Sequence, residues 1–109
     1  MINHLVFLNF NKGTTAQQIE ALKKGFAEMC TAVPNMTGRC GTSVDMIGMG
    51  DFDDASSPVK VTRYEFCAYA TFPDDAAFKV FMGHPAHMHF GQTYVLPVVA
   101  EMAPLQFVT

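Results

Sequence analysis

Hydrophobic and polar residues alternate from Ile2 to Phe10. Ile2, His4, Val6, Leu8 and Phe10 share one side, and Asn3, Leu5, Phe7 and Asn9 the other. A period of two predicts a strand, and because the second side is partly apolar, both faces are expected to be covered. The period then changes. Between residues 14 and 33, Ile19, Leu22, Phe26, Met29 and Val33 recur at intervals of three and four. That is the stripe of an amphipathic helix. Thr15 with Gln18 supplies a capping box, Lys23, Lys24 and Glu28 fall off the stripe, and Pro34 stops the helix.

Residues 37–47 read as a weaker, glycine-interrupted strand and residues 48–59 as a loop. The clearest alternation covers 60–72. Tyr64, Phe66, Ala68, Ala70 and Phe72 share one face; Arg63, Glu65, Cys67, Tyr69 and Thr71 share the other. Asp74 can cap a helix over 75–82, and Asp75 suits its positive end. Phe78, Phe81 and Met82 are expected to face inward, with Gly83 in a left-handed C-terminal position. Pro85 opens a third helix, which holds Phe90, Tyr94 and Val95 and cannot run undisturbed past Pro97. Residues 104–109 are strand-like. The order β-α-β-β-α-α-β predicts an α+β, ferredoxin-like domain over 1–109, with helices on one face of a four-stranded antiparallel sheet.

Composition sharpens this picture. Of 109 residues, 50% are hydrophobic and only 16% charged. So few charges leave an apolar face uncovered on a single copy, which predicts self-association. A net charge of −3 without a basic run argues against nucleic acid. Cys30, Cys40 and Cys67 are odd in number and lack C-x-x-C spacing, so the expectation is free thiols in a reducing, cytoplasmic location. The N-terminal MINHLVFLNFNK reads as a strand and not a signal peptide, which leaves the Asn35-Met36-Thr37 sequon without consequence. No run of about 18 apolar residues predicts a membrane span. Asp51, Asp53 and Asp54 suggest calcium, but an EF-hand loop would need glycine at Ser56 and glutamate at Thr62.

Three of the four histidines lie within GHPAHMHFG, residues 83–91. His84 and His87 can share a helix face, but His89 is about 200° round from His87. Two imidazoles with no carboxylate or thiolate nearby make a poor metal site, so no metal and no cofactor are predicted. Proton transfer is better matched, because imidazole titrates near neutral pH. His87 is the candidate base. His4 can reach it if the first strand lies beneath the helices, and Phe78, Phe81, Phe90 and Tyr94 can wall a pocket. A purely structural role also fits: His84 as a helix cap, His87 as a packing residue and His89 on the surface.

The HPAH motif with an aromatic three residues before it, the I-x-H-x-V-x-L-x-F strand and the F-x-D-x-x-A-F segment resemble the stress-responsive dimeric α/β-barrel (Dabb) family. Over HPAHMHFGQTY the resemblance is to members of the olivetolic acid cyclase type, which close a polyketide chain by aldol condensation. The resemblance implies two ferredoxin-like subunits whose sheets face each other and close a barrel. It implies a catalytic role for His87, a pocket role for His4, and pocket positions at Phe26, Phe90 and Gly91. In plant relatives a cation is held by carbonyls after the first helix; the matching stretch is Cys30 to Met36. One position departs. The cyclase's catalytic tyrosine falls at Phe81, which has no hydroxyl, and loss of one such donor costs roughly 100- to 1000-fold in rate. Tyr94 either supplies a hydroxyl from the next helix or packs half-buried.

Two readings stand at this point. In one, a homodimeric, cofactor-free lyase, cyclase or isomerase uses His87 as general base and His4 to orient it or its ligand. Phe26, Phe78, Phe81, Phe90, Gly91 and Tyr94 then bind a small apolar or aromatic molecule. In the other, the dimer is a non-catalytic stress or ligand-binding protein. The first requires His87 to line a closed apolar cavity on the order of a few hundred Å³.

Overall fold

The computed structural model describes residues 1–44, 56 and 58–109. Its elements are β1 (Ile2–Phe10), α1 (Ala16–Ala32), β2 (Thr37–Thr42), β3 (Phe66–Phe72), α2 (Asp75–Met82), α3 (Pro85–Phe90) and β4 (Val99–Val108). A π-helical turn, Gly91–Val95, joins the last helix to the last strand. The strands form one antiparallel sheet in the order β2-β3-β1-β4. This is the ferredoxin-like α+β arrangement that the element order predicts.

Local chemistry sets the helix ends. The Thr15 hydroxyl accepts from the Gln18 amide at 3.1 Å while the Gln18 side chain accepts from the Thr15 amide at 2.9 Å. Asp74 caps α2 by accepting from Ala77 N–H at 2.9 Å. His84 caps α3, its Nδ1 accepting from Ala86 N–H at 3.0 Å. The stripe of α1 buries Leu22, Phe26 and Met29 against the sheet, each worth roughly 1.5–3 kcal/mol of apolar transfer. Phe66, Phe72 and Phe81 complete the centre of the core. Glycine lets α1 approach closely at two points. A Cβ on Gly38 would meet the Cys30 Sγ and Phe26 ring at 2.9 Å, and one on Gly25 would meet the Tyr94 ring.

Several boundaries differ from the sequence expectation. β3 starts at Phe66, and residues 60–65 are not strand. Asn9 side-chain bonds stand beside the last backbone bond there, Glu65 N–H to Leu8 O at 3.0 Å: its amide donates to Arg63 O and its Oδ1 accepts from Glu65 N–H, both at 3.0 Å. On its other side, β1 has a register irregularity against β4 between Asn9 and Phe10. β2 ends at Thr42, and residues 43–44 lie outside it; 45–55, including Asp51, Asp53 and Asp54, and residue 57 lie outside the described residues. β4 begins at Val99, well before residue 104, because the free edge of β1 pairs along nearly its whole length. Pro104 is tolerated because β4 is an edge strand.

Met82 is exposed rather than inward, at 53%. It stands about 100° round from Phe81, on the solvent side of a short helix. Gly83 is not left-handed; its φ of −98° and ψ of 3° lead directly into the extended His84 that Pro85 requires. The helices cover one sheet face only. On the other, Leu5 and Phe7 are half-buried and Leu105 and Phe107 exposed, so among the described residues that face is left partly open.

Candidate functional site

The inward face of β3 reads Phe66, Ala68, Ala70, Phe72. Two methyl groups stand between two phenyl rings. Ala68 lies opposite Val6 and Ala70 opposite His4 on β1. No large side chain fills the space above the alanines, and the helices roof it. The result is a cavity of about 160 Å³ between sheet and helices.

His4, Phe26, Phe81, His87, Phe90 and Gly91 all line this cavity. Phe78 and Tyr94 do not. Phe78 stands behind the wall, its ring 5.4 Å from His4 and 5.3 Å from Phe72. Tyr94 is held against Gly25 and lies 6.2 Å from Phe90. The sequence reading did not single out Met36, Met102, Leu8 or the Ala68–Ala70 pair, which also line the space. The alternation F-x-A-x-A-x-F was the available signal, since small residues between large ones on one strand face imply a hollow. Met36 enters because Asn35, at φ 60°, turns the chain sharply after Pro34. The cavity is smaller than a few hundred Å³ and is partly open to solvent, not closed as the enzyme reading requires.

Phe81 stands between the two imidazoles. Its ring centroid is 4.1 Å from that of His87 and 5.7 Å from that of His4. Each imidazole has a polar partner at Nδ1. His87 Nδ1 lies 3.4 Å from the Met82 carbonyl. A carbonyl only accepts, so this contact, long for a hydrogen bond, goes with the hydrogen on Nδ1 and the lone pair on Nε2. His4 Nδ1 lies 2.7 Å from the Gln106 amide nitrogen. With the amide nitrogen on that side, the contact goes with the His4 hydrogen on Nε2. These contacts favour opposite tautomers, in which His87 offers an acceptor and His4 a donor. Burial, and secondarily the neighbouring His87, lower the pKa of His4 below its ordinary value and keep it neutral.

The other histidines stand apart. His84 is occupied as a cap, and His89 is exposed with its Nδ1 3.3 Å from Thr93 Oγ1. No group of three or more His, Cys, Asp or Glu side chains among the described residues could hold a metal ion. Cys30, Cys40 and Cys67 are free thiols, each with its pKa raised, chiefly by burial.

A ferredoxin-like subunit with a hollow between sheet and helices defines a class of small α+β proteins. The chain belongs to the stress-responsive A/B barrel domain (Dabb) family, which it matches over residues 2–108. Its structural relatives include a dimeric ferredoxin-like protein of unknown function from Thermobifida fusca. That match has a TM-score of 0.77 and 19% identity, covering 99% of this chain and 90% of the other. A protein from Arabidopsis thaliana also matches with a TM-score of 0.77, at 21% identity over 100% and 95% of the two chains. A hydroxynitrile lyase from Passiflora edulis matches with a TM-score of 0.75, at 19% identity over 99% and 92%. At identities this low, the structural matches establish a common fold and nothing more. No curated protein sequence matches the chain. No helix among the described residues is long and apolar enough to cross a membrane.

Proposed function

We propose that this protein is a homodimeric, cofactor-free enzyme in which His87 removes a proton from the carbon beside a carbonyl group. The opposed tautomers of His87 and His4 carry the reading. The His87 Nε2 lone pair takes the proton. The C–H electron pair becomes the new C=C bond, and the carbonyl pair moves onto oxygen. The Nε2–H of His4 donates to that developing oxyanion, and Phe81 supports both rings. Returning the proton elsewhere gives an isomerase; attack by the new carbanion on a second carbonyl gives a cyclase; the reverse cleavage gives a lyase. The dimeric relatives of this fold and the open, apolar sheet face support two copies meeting sheet to sheet.

Deuterium uptake into the methyl group of acetophenone in D2O tests this. The protein should accelerate uptake over buffer. His87→Ala should lose at least about 100-fold while keeping its fold, in line with general-base contributions of roughly 10²–10⁴. Uptake that is no faster than buffer, or that survives His87→Ala, overturns the proposal. Phe81 favours one alternative: with no hydroxyl beside His87, a non-catalytic ligand-binding dimer would bind the ketone and leave its hydrogens in place.

A further inference from the structure

We infer that the cavity selects an uncharged ligand of about one ring in size and rejects carboxylates and bulkier ring systems. This deepens the reading above, because it rests on the same cavity being the functional site. Three observations carry it. The first is volume. The cavity holds about 160 Å³, close to the roughly 150 Å³ of an apolar protein cavity that accepts benzene. One ring and a short substituent fill it; two fused rings would project through its open side into solvent.

The second is charge. Among the described residues, no lysine or arginine lines the cavity. Its polar groups are the two imidazoles, and the rest is phenyl, thioether and aliphatic. A carboxylate entering here leaves water for a wall with no cation to pair it. Burying an unpaired charge is heavily penalised, whereas an uncharged group of the same shape is not. Burial works against charging His4 as a counter-ion. The third is the hydrogen-bonding pattern. One donor at His4 Nε2 and one acceptor at His87 Nε2 match a neutral carbonyl with an acidic hydrogen beside it. A carboxylate presents two acceptors and wastes the His87 lone pair.

The test uses the full chain in its native assembly and two probes of matched shape, acetophenone and benzoate, with 2-acetylnaphthalene as the size probe. Binding is followed by calorimetry and by shifts in the His87 and Phe81 ring signals. Acetophenone should bind at least tenfold more tightly than each of the other two. Benzoate or the naphthyl ketone binding within tenfold of acetophenone overturns the inference, as does no acetophenone binding at all. Failure of the catalytic proposal looks different: acetophenone binds with this selectivity but its methyl hydrogens do not exchange. Conversely, His87-dependent exchange with unselective binding sinks the ligand class and leaves the base.

Discussion

His4 is a half-buried imidazole held neutral by its surroundings, and that makes stability depend on pH in a definite direction. Its folded pKa lies below the unfolded value near 6.5. Between those two values the unfolded chain binds the extra proton and the folded chain does not. Stability is therefore full above about pH 6.5 and falls as the pH drops through the window below it. The melting temperature should decline from pH 7.5 to 5.5, and His4→Gln should flatten that decline; parallel slopes would remove His4 as the cause. At this scale the sequence was a good guide to residue type and a poor guide to state. HPAH pointed to His87, but nothing in the spacing shows that Met82 and Gln106 are the polar partners of the two rings. Those partners lie in a preceding helix and on the last strand.

At the scale of elements, the strand pair β1–β3 makes the floor of the cavity and α1–α3 its roof. Ala68 is the lever on the floor. Ala68→Leu adds three carbons above β3, into existing space, so the melting temperature should hold or rise while acetophenone binding is lost. A large drop in melting temperature would show that the space is already filled. Gly25 is the lever on the roof. Alanine there gains helix propensity, but its Cβ would meet Tyr94 ring atoms at 2.5, 2.6 and 2.9 Å. Overpacking wins: Gly25→Ala should cost about 1–3 kcal/mol by thermal unfolding, and combining it with Tyr94→Ala should recover part of the loss. Sequence periodicity located β1, α1 and α2 almost to the residue, because each carries its own capping groups or strict alternation. It extended β3 too far and began β4 too late. Strand ends depend on a partner strand, and the partners lie far away in sequence.

For the whole molecule, the helices protect one side of the sheet, and among the described residues no helix protects the other. Leu105 and Phe107 stand exposed beside Leu5 and Phe7. The proposed dimer covers this patch with its own copy, an arrangement in which one substitution acts twice. Leu105→Glu should convert the assembly from twice the chain mass to the 12.0 kDa monomer in sedimentation at micromolar concentration. A wild-type particle already at the monomer mass would remove the dimer from the proposal. The low share of charged residues anticipated the open face, since surface that water does not favour has to be covered.

The order of elements, the helix caps, the apolar stripe of α1 and the identity of the candidate base were determined by the sequence itself. Each depends on residues within a few positions of one another, where backbone geometry converts spacing directly into shared faces. The cavity, its volume, the absence of cations among its described lining residues and the partners of its two imidazoles were decided by tertiary structure. They arise where β1, β3, β4 and the helices converge, and a hollow has no residue of its own to be read from a chain.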